Sequence, residues 1–407
     1  MQLVQQHIIN RNDTRYIAID EMAFLSKNLY NATLYAVRQH FFNTDLYLPY
    51  ATLQHLFQTE KQFDYYQLPA KVAQWTMKMV DQNFRSFFKA LTAYKENPSK
   101  FNGKPKIPKY LDKTKGRFLL TFTNQTISKR ALQRDNVLKL SGIPDIEIPT
   151  TLSYNQINQV RIVKRVNCYV IEIIYTVPDV EMLEDNGRYA SIDLGVNNLV
   201  TLVSNTNELT PIIYSGRKLK SINHYYNKNL SQYKSQLDKC NKKKSSKRIS
   251  QLTRKRNNRI KDVLHKVSRC IVNQLIASNI SVLVIGKNTN WKQDINIGSV
   301  NNQNFVQIPH TQLISLITYK CALVGISVIT TEESYTSKCS FLDLEKICKH
   351  KTYCGKRVKR GLFRSKQGHY INADVNGAFN ILRKCKPNAF ADGVKGLVVI
   401  PKMLINS

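Results

Sequence analysis

One apolar run broken by a carboxylate constrains this chain more than any other feature. In YASIDLGVNNLVTLVSN, starting at Tyr189, two strand-like stretches flank a turn containing Gly195 and two asparagines, the pattern of a β-hairpin. Asp193 interrupts the first stretch, where a lone buried carboxylate is costly unless a divalent metal or an Arg or Lys partner compensates it. Downstream, Arg217 to Arg269 reads as mostly helical and SVLVIGK, residues 281 to 287, as a buried strand. LISLITYKCALVGISVITTEE then reads as a helix and a strand that ends at Glu332 and Glu333. Finally INADVNGAFNILRK places Val375, Ala378, Phe379 and Leu382 on one helical face, with Asp374 at its start. The order strand, strand, helices, strand, helix, strand predicts a mixed α/β domain from Arg188, of the kind that processes nucleotidyl groups.

Upstream of that hairpin the texture differs. Apolar residues recur at helical spacing in EMAFLSKNLYNATLYAVRQHFF, opening after Asp20, and in KVAQWTMKMVDQNFRSFFKALTAYK, opening after Pro69. FNGKPKIPKYLDKTKGR, residues 101 to 117, mixes glycine, proline and many lysines and reads as a loop that touches phosphates. FLLTFT, NVLKL and CYVIEIIYTV are rich in β-branched and aromatic residues and predict a small β-barrel or sheet.

Charge narrows the partner. With 61 Lys and Arg against 28 Asp and Glu, the net charge of +33 exceeds what solubility asks for and would make a compact monomer repel itself. A polyanion relieves that repulsion. The sequence has no apolar stretch of transmembrane length and no amphipathic anchor, which favours nucleic acid over a membrane. The N-terminus lacks a signal-peptide core, so a cytoplasmic, nucleoid-associated location is expected. The eight cysteines show no paired framework and read as free thiols or metal ligands. The basic helical stretch carries only Asp238 and Asp262 against its charge. Lys242, Lys243, Lys244, Lys247, Arg248, Arg254, Lys255, Arg256 and Arg259 are therefore the expected phosphate contacts, with a solvated helical hairpin as the alternative.

The acids suggest a chemistry without specifying it. Two-metal phosphodiester cleavage needs three or four carboxylates converging from separate elements, because two cations about 4 Å apart must be neutralised while water attacks in line. This chain offers acids at strand and helix ends well apart in sequence, although Asp374 alone could be an ordinary helix N-cap and the others salt-bridge partners.

Between residues 186 and 395, SIDLGVNNLVTL, HKVSR, IGKNTNWKQ, NNQNFVQIPH, TEESYTSKCSF, GKRVKRGLFRS and INADVNGAFNILRK together resemble the RuvC-like nuclease half of TnpB proteins. The resemblance implies an α/β ribonuclease H-like RuvC nuclease domain with an N-terminal β-barrel wedge and an inserted helical recognition lobe. On that layout, residues 1–19 and 101–185 form the wedge and 20–100 the helical lobe. The nuclease spans 186–330 with a basic hairpin at 217–276; a degenerate zinc-ribbon-like insert takes 331–370, the last RuvC segment 371–395 and a tail 396–407. Asp193 matches the family's first aspartate and Asp374 its last. Where most members carry a glutamate after an apolar strand, this chain has Gly286 followed by Lys287. Glu333 is the expected replacement, as in a subgroup that relocates this glutamate, with Glu332 its rival, since neighbours on a strand face opposite ways.

Two Mg²⁺ ions held by Asp193, Glu333 and Asp374 are implied. The usual CxxC…CxxC ribbon is reduced to Cys339, Cys348, His350 and Cys354 in an irregular C-x8-C-x-H-x3-C spacing, weak candidates for Zn²⁺. The alternative is a metal-free insert packed by Phe341 and Leu342, with Asp343 and Glu345 in its loop. The implied function is an RNA-guided DNA endonuclease of a mobile element, whose partners are a guide RNA and double-stranded target DNA. Tyr225, Tyr226 and Trp291 could stack on bases, although Trp291 suits a core. A catalytically inactive regulator of transposition and a CRISPR effector of the same lineage remain open, and a DDE-type transposase fits less well. Oligomeric state is left open.

Overall fold

In the computed structural model, residues 1–407 are described except for 144–145, 242–244, 289–297, 299–301, 304–305, 392, 395 and 405–407. Lys242, Lys243, Lys244 and Trp291 therefore lie outside the described residues. The chain forms two compact units, Met1–Pro178 and Asp179–Ser407.

The first unit combines strands and helices. Strand β1 (Gln2–Asn10) precedes helices α1 (Arg15–Thr44), α2 (Tyr50–Thr59), α3 (Phe63–Tyr66) and α4 (Ala70–Glu96). Then come β2 (Leu120–Thr123), α5 (Lys129–Asp135), β3 (Val137–Lys139), β4 (Glu147–Pro149), β5 (Ile157–Arg165) and β6 (Cys168–Thr176). The four longer-range strands pair antiparallel in the order β1, β6, β5, β2, and β3 and β4 form a separate hairpin. Where a barrel or sheet is expected from sequence, the described strands form an open sheet with β1 and β2 at its edges.

Helix α4 begins after Pro69 as its sequence predicts, but α1 starts at Arg15, ahead of Asp20. The Asp13 carboxylate accepts the Arg15 N–H at 3.0 Å, so the helix is initiated earlier. Asp20 is then an interior helical residue whose carboxylate accepts from Arg117 Nη2 at 2.7 Å, Lys164 Nζ at 2.5 Å and the Tyr169 hydroxyl at 2.6 Å.

The second unit holds the acids. It contains β7 (Tyr189–Leu194), β8 (Asn198–Ser204), β9 (Ile212–Ser215), α6 (Arg217–Asn241), α7 (Lys247–Ala277), β10 (Val282–Gly286) and α8 (His310–Ala322). It continues with β11 (Ser327–Thr331), β12 (Lys356–Lys359), β13 (Leu362–Arg364), β14 (Tyr370–Asn372), α9 (Ala373–Cys385) and β15 (Lys402–Leu404). One six-stranded sheet runs in the order β11, β10, β7, β8, β9, β15. β7, β8 and β9 are an antiparallel meander, while β10 and β11 lie parallel to β7.

Alternation along these strands sorts the two faces. Ile192, Leu194, Leu283 and Ile285 join a core with Leu264, Val267 and Ile271 of α7 and Leu313 and Ile317 of α8. Val284 and Val203 turn the other way, into a core with Phe379 and Leu382 of α9 and with Phe341 and Phe363. Because side chains alternate with period two, Asp193 and Gly286 belong to this second face, under α9. No helix among the described residues is long and apolar enough to cross a membrane.

Candidate functional site: carboxylates at one end of a parallel sheet

The parallel register brings three strand ends together. Ile285 of β10 pairs with Ile192 of β7, and Gly286 pairs with Thr331, the last residue of β11. Asp193 therefore follows a residue level with Ile285, and Glu332 and Glu333 follow a residue level with Gly286. This is the carboxyl end of a parallel sheet, where α/β folds commonly place their chemistry.

Glu332 and Glu333 diverge there. Glu332 is exposed and pairs with Lys384 of α9 at 2.5 Å, and it also accepts from Ser334. Glu333 turns inward. Its backbone N–H donates to Asn288 Oδ1 at 3.1 Å and its Oε1 accepts from Asn288 Nδ2 at 3.0 Å, so one asparagine fixes both ends of the residue. A Cβ placed on Gly286 would meet Glu333 Oε2 at 2.8 Å and Ile381 Cδ1 at 2.6 Å. The glutamate thus fills the space that a side chain at position 286 would need.

Helix α9 closes the site from above. Its N-cap is Asn372, whose side chain accepts the N–H groups of Asp374 and Val375. Asp374 is therefore not the cap that its position at the start of the helix allows, and its carboxylate is free to point elsewhere. It accepts from Asn198 Nδ2 at 2.6 Å and from Arg357 Nη2 at 3.3 Å. Gly377, one turn on, permits close approach: a Cβ there would lie 3.0 Å from Asp193 Oδ2.

Electrostatics couple the acids. Burial, then the charges of Glu333 and Asp374, push the Asp193 carboxyl well above the ordinary carboxylate range against the opposing pull of Arg357. Burial and the neighbouring Glu332 also raise Glu333, with Lys384 opposing. Three mutually repelling oxygen donors suit a hard divalent cation, which would offset the repulsion that raises Asp193. The acids do not converge on a point: among the described residues no three His, Cys, Asp or Glu side chains form a group able to hold a metal ion. Asn198 and Arg357 engage Asp374, and Asn288 engages Glu333.

The same absence applies to Cys339, Cys348, His350 and Cys354, which are not gathered as a four-ligand set. The buried Cys339 thiol faces the carbonyls of Lys346 and Cys348, while Cys348 Sγ lies 3.4 Å from His350 Nε2 and Cys354 is exposed. What packs this insert is apolar and hydrogen-bonded. Phe341 stacks on Phe379 at 4.4 Å and meets Phe390 edge-on. Asn376 and Asn380, fully buried and one turn apart on α9, take the Phe341 N–H and donate to the carbonyls of Thr336 and Cys339. Glu345 is buried as a staple that accepts the N–H groups of Ser340 and Cys354.

On the basic pair, Lys247, Arg248, Lys255 and Arg259 are exposed and Arg254 is half-buried. Arg256 differs from the expectation of a phosphate contact. It donates to Asn223 Oδ1 at 2.9 Å and to the Gln307 carbonyl at 3.0 Å, and its guanidinium covers the Tyr226 ring. Sequence reasoning singled out neither the holding residues Asn198, Asn288 and Arg357 nor the spacer Gly377. All four sit within the quoted motifs, and Asn288 follows β10, one of the strands that end at the site.

Residues 172–292 match the family model OrfB_IS605, described as "Probable transposase", and residues 310–381 match the model "Cas12f1-like, TNB domain". A curated relative, "TnpB-like protein ORF457" of Acidianus two-tailed virus, is 25% identical over 207 residues, 48% of this chain and 42% of that protein. The chain thus matches less than half of that relative's length. Among solved structures, the Cas12f1 chain of a Cas12f1–sgRNA–target DNA complex covers 93% of this chain and 98% of its own at 15% identity and TM-score 0.37. The mini-RNA-guided endonuclease CRISPR-Cas phi3 covers 94% and 92% at 10% identity and TM-score 0.48. Two successive segments of the chain are thus similar to OrfB transposase proteins and to Cas12f1-like proteins.

Proposed function

We propose that this protein is an RNA-guided DNA endonuclease of a mobile element, cutting with a ribonuclease H-like RuvC core built on β7 to β11 and α9. The observation that supports this reading is that Asp193 and Glu333 lie at the carboxyl end of the parallel strands β7, β10 and β11, with Asp374 at the start of α9, the helix packed on that face. Asp193, Glu333 and Asp374 would hold Mg²⁺. Bound there, the ions supply an activated water and stabilise the leaving oxygen of a phosphodiester.

The rest of the chemistry falls to the chain. Asn288 orients Glu333 and Asn198 orients Asp374, so neither carboxylate has to search rotamers when a cation arrives. Arg357 neutralises Asp374 until then. Gly286 keeps open the volume that the relocated glutamate occupies. Exposed Lys and Arg of α6 and α7 would contact phosphates of the guide RNA and target, with sequence read by base pairing.

The test is co-expression with the flanking element DNA, sequencing of copurified RNA, and Mg²⁺-dependent cleavage of a matching duplex. A specific RNA and cleavage that disappears in Asp193→Ala support the proposal. RNA bound without cleavage under any divalent ion would leave a regulator in its place.

A further inference from the structure

Tyrosines and cations line a cleft on the basic helix pair that the cleavage chemistry does not use. Between α6 and α7 lies a cavity of about 320 Å³ whose walls carry Tyr225, Tyr226, Tyr233, Arg248, Lys255 and Arg259. Ile222 and Leu252 give it apolar surface. A second hollow of about 450 Å³ shares Ile222 and Arg259 with it and continues toward Lys218. The tyrosines are spaced for use: Tyr225 is 58% exposed, whereas Tyr226 is held in place by Arg256 over its ring and by a hydroxyl contact to Thr253.

A solvated helical hairpin has no need of three tyrosines in a cleft between its basic faces. Phosphate grip on a duplex calls for cations and gives aromatic rings no base face to stack on, because paired bases are hidden inside their stack. An unpaired base presents its face, which any tyrosine ring can stack on, while nearby Arg and Lys take the flanking phosphates. The cavity's volume lies at the low end of small-ligand sites, and its lining residues extend over several turns of the helix pair, as a strand lying along the cleft requires.

We propose, on the nucleic-acid reading above, that the α6–α7 cleft captures a short unpaired stretch of a single strand, with one base on Tyr225 and another on Tyr233, about 12 Å further along α6, and the phosphates on Arg248, Lys255 and Arg259. The strand can come from RNA or from DNA opened by the guide. The shared chemistry is a base next to a phosphate.

The experiment uses the full chain carrying Asp193→Ala, so that binding is read without cutting. Fluorescence anisotropy follows labelled 12-nucleotide uridine and thymidine oligomers, the thymidine oligomer with abasic sites, and a duplex of equal length. Tyr225→Ala with Tyr233→Ala is expected to weaken both single strands by about tenfold or more, leave the duplex within about twofold, and leave the salt slope unchanged. The corresponding Tyr→Phe pair keeps binding, and the abasic oligomer binds the parent chain as weakly as the intact oligomer binds the alanine pair. A loss confined to the uridine or to the thymidine oligomer assigns the strand. Single-strand affinity unchanged in the alanine pair, or lost equally for the duplex, overturns the proposal. If guided cleavage by the chain with Asp193 intact persists while the cleft variants bind normally, only the cleft assignment fails; absence of cleavage with intact cleft binding defeats the nuclease reading instead.

Discussion

At the scale of single residues, Glu333 lies against the space beside Gly286. A methyl group at 286 would press on a carboxylate and on the Ile381 side chain, so Gly286→Ala should lower guided cleavage by at least tenfold and destabilise by about 1–3 kcal/mol, read by cleavage rate and thermal melting. The partner prediction concerns charge. The folded-state proton affinity of Asp193 is raised, so its ionised form is disfavoured by the fold: this cost is absent below the unfolded carboxylate pKa and fully present once pH exceeds the folded one. Without divalent ions, melting temperature should therefore fall as pH rises above the ordinary carboxylate range. Asp193→Asn should flatten that dependence and raise the neutral-pH melting temperature by a few degrees. Mg²⁺ should stabilise the wild type and leave the asparagine variant unmoved. Cleavage, which needs the ionised carboxylates, should rise with pH over the same window.

At the scale of elements, α9 joins the acids to the insert. Asn376 and Asn380 have no solvent exposure and their side-chain hydrogen bonds go to the 336–341 backbone, so Asn380→Leu should strand buried carbonyls at a cost of about 1–3 kcal/mol. Limited proteolysis should then cut between 336 and 356 at lower protease than in the wild type. In the first unit Asp20 is the comparable tie. Burial opposes its charge, but Arg117, Lys164 and Tyr169 overcome that and hold it far below the usual carboxylate range. Its stabilisation is present above the unfolded carboxylate pKa and is lost as pH falls through the folded one. The hairpin at Asp193, the buried strand before Gly286 and the helix after Asn372 were legible because period and composition agree there. The start of α1 was not, because Asp13 competes with Asp20 as an initiator and only tertiary ion pairs show which carboxylate is committed elsewhere. The role of Asn372 was hidden for a similar reason: Asn372 and Asp374, either side of Ala373, are both cap-competent and differ by backbone angle, which sequence does not display. Arg256 reads as one more surface cation until its partners Asn223 and Gln307, distant in sequence, are seen beside it.

At the scale of the molecule, charge and site have to act together. A net charge of +33 fits the proposed polyanionic partner, and binding to single-stranded or duplex nucleic acid should weaken linearly in log salt, by a slope of about −0.9 for each phosphate contacted on duplex DNA. Replacing Arg248 and Arg259 together by alanine should lower that slope by about two without altering metal dependence, as measured by anisotropy titrations between low and physiological salt. The central claim is that Glu333 has taken over the position vacated at Gly286. Its most direct measurement is Mg²⁺-dependent cleavage of a guide-matched duplex by the RNA-loaded protein, comparing wild type, Glu332→Gln and Glu333→Gln at equal RNA content. Cutting by wild type and Glu332→Gln, with Glu333→Gln down by about a thousandfold or more, is the predicted result. Full cutting by Glu333→Gln, or its loss in Glu332→Gln instead, would contradict it.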